Sequence, residues 1–217
     1  MALPEKKAAR RQHHGRSKVP DFDLTPLVKW PKQVRIQRQK AVLKERLKVP
    51  PVINQFYNPV SKNLTHEILN FARKYSPETP EARKNRLAEA AKAKSENKPV
   101  PEPPKKLTVI SGIRHVTGLI EKKKAKFVII ANDVDPIELV VWMPTLCHKM
   151  GIPYAIVRTK SELGRIVHLK KTGVLCFTDV ETADKATFDK ILQAVASEVD
   201  YEKAMKTYGG GVRGKKE

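Results

Sequence analysis

Five consecutive apolar residues, Phe127-Val128-Ile129-Ile130-Ala131, leave no polar face. A β-branched run of that kind is what a strand carries when both sides of its sheet are covered. Comparable runs recur at Tyr154 to Val157 and Val174 to Phe177, each separated from the next by helical spacing. From Leu107 onward the pattern predicts a strand over 107–110, a helix over 112–123, a strand over 127–131 and a helix over 137–150. Gly151 should close that helix in the left-handed conformation. A strand over 154–157, a short helix over 162–167, a strand over 174–177 and a helix over 183–198 follow. Such alternation implies an α/β/α sandwich.

The first half of the chain is different material. Of the formal net charge of +20, residues 1–106 carry 25 Lys/Arg against 10 Asp/Glu, and residues 107–217 carry 18 against 13. A sequence pI near 10.0 points to a polyanionic partner, nucleic acid above all, with an anionic membrane surface as the competitor. No stretch approaches 18 consecutive apolar residues, and the opening "MALPEKKAARRQHHGR" lacks the apolar centre of a secretory signal, so no membrane partner and an intracellular location are expected.

Residues 1–20 read as extended or disordered until bound. A helix then starts at Pro31 and ends at Pro50-Pro51, with seven basic residues, Lys32, Arg35, Arg38, Lys40, Lys44, Arg46 and Lys48, against one acid. Its apolar positions are too sparse for a core, so its partner should lie outside its own domain. "NLTHEILNFARKY" places Leu64, Ile68, Phe71, Ala72 and Tyr75 at helical spacing behind a cap expected at Asn63, and a third, mostly polar helix starts at Pro80 with Thr79 as its cap. The stiff "PVPEPPKK" reads as a linker. The expected organisation is therefore a basic extension over 1–106, an α/β/α domain over 107–198, and a flexible basic tail over 199–217.

Asp133 and Asp135 follow the apolar strand. Asp135 precedes Pro136 as a cap residue precedes a first helical turn, and Asp133 can steady the same turn. A catalytic pair would need a third polar group and a pocket, and no histidine, serine motif or glycine-rich loop stands near them in sequence. No enzyme, small-molecule substrate or cofactor is expected. Cys147 and Cys176 lie in apolar runs and read as reduced core thiols, and with His115, His148 and His168 they show no metal-ligand spacing. "YGGGVRG" lies after the last helix and reads as flexible.

Two stretches point to nucleic acid. "SGIRHVTGL" opens a helix whose free N–H groups attract phosphate, with Arg114 and His115 able to meet a base edge; a helix start with basic decoration fits the spacing equally. "GRIVHLKKTGVL" offers Leu169 to cover a splayed base beside His168, Lys170 and Lys171; a solvated basic loop is the alternative.

"KAKFVIIANDVDPIELVVWMPTLCHKMGIPYAIVRTKSELGRIVH" resembles the ribosomal branch of the kink-turn-binding protein family, which reads Asp-Val-Asp-Pro after the apolar strand and Lys-x-x-Leu-Gly after the later one. "LVKWPKQVRIQRQKAVLKERLKVPPVINQF" is similar to the extension of that branch's eukaryotic large-subunit member. Together the two stretches cover most of Leu27 to Val180. The resemblance implies a three-layer α/β/α sandwich on a mixed four-stranded sheet behind a long, basic, largely helical extension. It implies a structural, non-catalytic role on ribosomal RNA of the large subunit beside neighbouring large-subunit proteins, in the cytoplasm with assembly in the nucleolus. A kink-turn scaffold of a small nucleolar or RNase P-like particle is the alternative. The family reads RNA with Gly-x-Asn-Glu-x-Thr-Lys at the helix start. Here Gly112 and Thr117 match, while Arg114, His115 and Gly118 replace asparagine, glutamate and lysine, so RNA contact with altered specificity is expected.

Overall fold

A computed structural model describes residues 23–95 and 106–214. The expected disorder of residues 1–20 and most of the proline-rich linker lie outside the described residues. By internal contacts the chain divides into two units, residues 1–43 and 44–217.

In the first unit a 3-10 turn, Thr25–Leu27, precedes α1 (Lys32–Arg46), whose last turn belongs to the second unit. Trp30 Nε1 donates to Thr25 O at 3.0 Å, and the Arg38 guanidinium lies 4.3 Å from the centre of the Trp30 ring. No residue of α1 is buried, as its sparse apolar spacing predicts.

The second unit is built on a mixed four-stranded sheet of β2 (Ile110–Ser111), β3 (Phe127–Ala131), β4 (Tyr154–Val157) and β5 (Val174–Phe177), in the order β2-β5-β3-β4. β3 pairs parallel with β4 and antiparallel with β5, and β5 pairs antiparallel with β2. Alternate residues enter two separate cores. Phe127, Ile129, Ala131, Ala155, Val157, Leu175 and Phe177 meet α3 (Lys62–Lys74), α7 (Lys160–Ile166) and α8 (Lys185–Glu198). Val128, Ile130, Tyr154, Ile156, Val174 and Cys176 meet α5 (Ile113–Glu121) and α6 (Met143–Met150). The expected sandwich is therefore the architecture found.

Several boundaries move for identifiable reasons. The helix expected over 137–150 is interrupted: a 3-10 turn, Ile137–Leu139, precedes α6. Pro144 stands in the first turn of α6, where its missing N–H costs nothing; deeper inside one long helix it would clash with the carbonyl four residues back. Gly151 does close α6 in the left-handed region, at φ 70°. α3 is capped two residues earlier than expected, by Ser61 Oγ accepting from Leu64 N at 3.3 Å. Thr79 caps α4 (Pro80–Ser95) as expected, accepting from Ala82 N at 3.2 Å.

Two findings change the reading of the chain's organisation. α3, assigned by sequence to the extension, lies inside the core: Leu64, Ile68, Leu69 and Phe71 are buried, and Phe71 stacks on Phe188 with ring centres 5.6 Å apart. The residues expected as a flexible tail instead form α9 (Tyr201–Lys206) and β6 (Gly209–Gly210), which pairs antiparallel with β1 (Lys48–Val49). The glycines there serve close approach. A Cβ on Gly209 would stand 2.0 Å from Asn54 Oδ1, and one on Gly210 2.0 Å from Leu47 O. Asn54, in the short α2 (Pro51–Asn54), donates from Nδ2 to Thr207 O at 3.2 Å.

Four large apolar side chains of α3 contribute roughly 6–12 kcal/mol of burial, at about 1.5–3 kcal/mol each. That is comparable to the whole stability of a typical domain, about 5–15 kcal/mol. A fragment starting at residue 106 is therefore expected to lack a cooperative thermal transition, whereas one starting at residue 44 should melt cooperatively; circular dichroism reads both. Cys147 and Cys176 are buried, and burial pushes both thiols up to about 12 from the usual 9.0. Since the folded thiols resist ionisation, their contribution to stability is complete below the unfolded thiol range and is lost as pH rises above it. At pH 8 a disulfide reagent should label neither thiol in the native protein and both in denaturant.

Candidate nucleic-acid interface

Strand directions bring the two sequence candidates to one end of the sheet. Ser111, the last residue of β2, pairs with Leu175, next to the first residue of β5. The start of α5 and the loop 168–173 that enters β5 therefore lie side by side. Ala131 N donates to Gly173 O at 2.8 Å, which adds the loop after β3. β4 runs parallel to β3 with Val157 opposite Ala131, so Arg158 and the start of α7 complete the same end.

At α5 the N-cap is Gly112, at φ 100°, with no side chain to occupy the first N–H groups of the helix. Arg114 and His115 project from that first turn and are exposed. Thr117 is partly buried, and its hydroxyl donates one turn back to Ile113 O at 2.8 Å. At Gly118 a Cβ would meet nothing within 4 Å.

The basic loop is folded back along α7. Leu169 N donates to Gly164 O at 2.9 Å, and Thr172 N donates to Lys160 O at 3.1 Å. Gly164 makes this possible, because a Cβ there would stand 2.6 Å from Leu169 O. His168 takes a left-handed φ of 57°, with Nε2 3.0 Å from Pro77 O and 3.1 Å from Ser76 Oγ. Since a carbonyl only accepts, Nε2 donates to Pro77 and the ring pins the loop to the segment after α3. Leu169 is 52% exposed, and Lys170 and Lys171 are exposed beside it.

The aspartates do not cap their own turn. The 3-10 turn after them has Pro136 at its cap position and no side-chain cap bond. Asp133 instead caps α7 from across the sheet end: its Oδ1 accepts from Lys160 N at 2.7 Å, while Lys160 Nζ donates to Asp133 O at 2.7 Å. The residue in the cap position of α7, Thr159, uses no side-chain bond there. The expected cap role of Asp135 is thus corrected. Sequence separation hid the partner of Asp133, which lies 27 residues away. Arg158 and Lys160 were also missed, although they follow directly on a strand whose carboxyl end points at the site.

Lys32, Arg35, Arg38, Lys40, Lys44, Arg46 and Lys48 are exposed along α1 and the residues just after it. Among the described residues no three His, Cys, Asp or Glu side chains converge as a metal site, and none of the helices is long and apolar enough to cross a membrane.

The arrangement defines a class: three-layer α/β/α proteins that present an uncapped helix start and a basic loop together at one end of a mixed sheet. Residues 83–188 match the ribosomal protein L7Ae/L30e/S12e/Gadd45 family, and the chain belongs to it. It is similar to large ribosomal subunit protein eL8 of Drosophila melanogaster, 47% identical over 205 residues that span 93% of this chain and 75% of that protein. Large ribosomal subunit proteins eL8B and eL8A of Candida albicans are likewise 47% identical over 93% of this chain, which covers 78% and 79% of them.

Asp133→Ala is expected to cost about 1 kcal/mol, the usual value of a lost cap, whereas Asp133→Asn keeps the acceptor and should be nearly neutral. Asp135→Ala, which loses no cap, should change stability by less than about 0.5 kcal/mol. Urea unfolding of the three variants reads the difference.

Proposed function

We propose that this chain is a structural constituent of the large ribosomal subunit that binds and stabilises ribosomal RNA and packs beside neighbouring large-subunit proteins. The observation that carries the reading is the meeting of the α5 start with the 168–173 loop at one sheet end, in a chain so similar to large-subunit proteins. No catalytic step is assigned to it. Free N–H groups at the α5 start receive a phosphate. Lys170 and Lys171 hold the backbone on either side, and Leu169 covers an unstacked base.

Arg114 and His115 set what is read. Arginine offers only donors, and histidine offers a donor at one or both ring nitrogens, so neither reproduces the acceptor pair of a glutamate. The site therefore favours acceptor edges, such as guanine O6 and N7, over exocyclic amines. Gly112 and Thr117 shape and steady the turn that presents them. The six basic residues of α1, with Lys48 just after it, supply further phosphate contacts and much of the salt dependence. The protein works in cytoplasmic ribosomes after assembly in the nucleolus.

Sedimentation of the tagged full chain tests the proposal. The native chain is expected with large subunits and translating ribosomes, and Arg114→Glu combined with Leu169→Asp should move it to light fractions without altering its thermal transition. A native chain confined to small nucleolar particles would sink the reading.

A further inference from the structure

A second surface of the 44–217 unit sets two exposed aromatic rings beside lysines. Tyr57 and Tyr208 are 46% and 58% exposed, yet each carries a lysine: Lys44 Nζ lies 5.7 Å from the Tyr57 ring centre, and Lys48 Nζ 4.3 Å from that of Tyr208. The two tyrosines belong to segments fixed to each other. Tyr57 ends the 3-10 turn Gln55–Tyr57, directly after Asn54, and Tyr208 precedes Gly209, against which the Asn54 side chain packs. β1 and β6 hold Lys48 opposite Gly210, and Val212 N donates to Glu45 O at 3.1 Å.

Large rings left in water need a reason, and these two are set among exposed cations, with Arg46 and Arg213 on the same two segments. Gly209 and Gly210 are packed against Asn54 and Leu47, which fixes Tyr208 in place, while a Cβ on Gly211 would meet nothing within 4 Å. Rings that stack any base and lysines that hold phosphate together make a platform for unpaired nucleotides. A duplex, whose bases are already stacked, cannot use the rings.

We propose that Tyr57 and Tyr208, with Lys44 and Lys48, form a separate site for single-stranded RNA, tolerant of sequence. The inference rests on the reading of this chain as an RNA-binding protein but involves none of the sheet-end residues. On binding, a base stacks on each ring and the two ammonium groups turn from ring to phosphate.

The test is a titration of the full chain with octauridine and with a short RNA duplex at fixed salt. Tyr57→Ser together with Tyr208→Ser should weaken octauridine by about tenfold or more and leave the duplex unchanged, since stacking on each ring is lost. Tyr57→Phe with Tyr208→Phe should bind as the native chain does. Neither pair alters charge, so the salt slope should hold, whereas Lys44→Ala with Lys48→Ala should lower it by about 1.4. Native-like octauridine binding by the serine pair would overturn the proposal, as would equal losses for serine and phenylalanine pairs or for octauridine and duplex. Displacement of octauridine by a polyglutamate peptide whose own binding needs both rings would assign the patch to an acidic protein instead. In a Leu169→Asp background, which removes the sheet-end base contact, the serine pair should still weaken octauridine by a similar factor; failure of the sheet-end site alone, with that ring dependence retained, would count against the ribosomal reading and for this one.

Discussion

Everything in the 44–217 unit follows from the double pairing of β3. Its backbone is bonded to β4 on one edge and β5 on the other, and all five of its residues are buried. A strand in that position has no solvent face, so the sheet must carry a helical layer on each side. The two layers are recruited from different distances. α5 and α6 are local, while the opposite layer takes α3 from before the proline-rich segment and α8 from near the end of the chain. The aromatic cluster of Phe71, Tyr75, Phe127, Phe177 and Phe188 joins those distant pieces across one face.

The same pairing fixes the sheet end at which the candidate interface residues gather. Because β2, β3 and β4 run one way and β5 the other, three strand exits and one strand entry coincide there. Lys160 then couples the loops through its backbone, giving its N–H to Asp133 and its carbonyl to Thr172. Gly164 permits the loop to lie against α7, and His168 fastens it to Pro77. Leu169 is exposed on a loop held on three sides, so its position is set before any ligand arrives. Pre-organisation of this kind lowers the ordering cost of binding.

What could be read from sequence was what periodicity and local chemistry encode. β3, β4 and β5 were legible to the residue, because a buried strand writes its bounds in uninterrupted apolar letters. Gly151 and Thr79 were legible because caps act within a few positions. Long-range partnerships were not. Asp133 carries no mark of Lys160, and α3 shows an apolar stripe without saying which sheet receives it. Composition misled at "YGGGVRG": glycine signals freedom when nothing is near, but here the missing side chains make room for Asn54 and Leu47. For the interface, the residue types at Arg114 and Leu169 were visible, and their convergence became visible only with the antiparallel pairing of β2 and β5.

The pairing of β1 with β6 bears on how the chain is made. Asn54 and its partner Thr207 stand 153 positions apart, and α3 meets α8 across more than half the sequence. Synthesis proceeds from the N-terminus, so α2 and α3 emerge long before the elements that complete their packing exist. Loop closure on that scale makes folding slow relative to helical bundles. The nascent chain thus remains a cationic polymer without a finished core until α8, α9 and β6 have emerged.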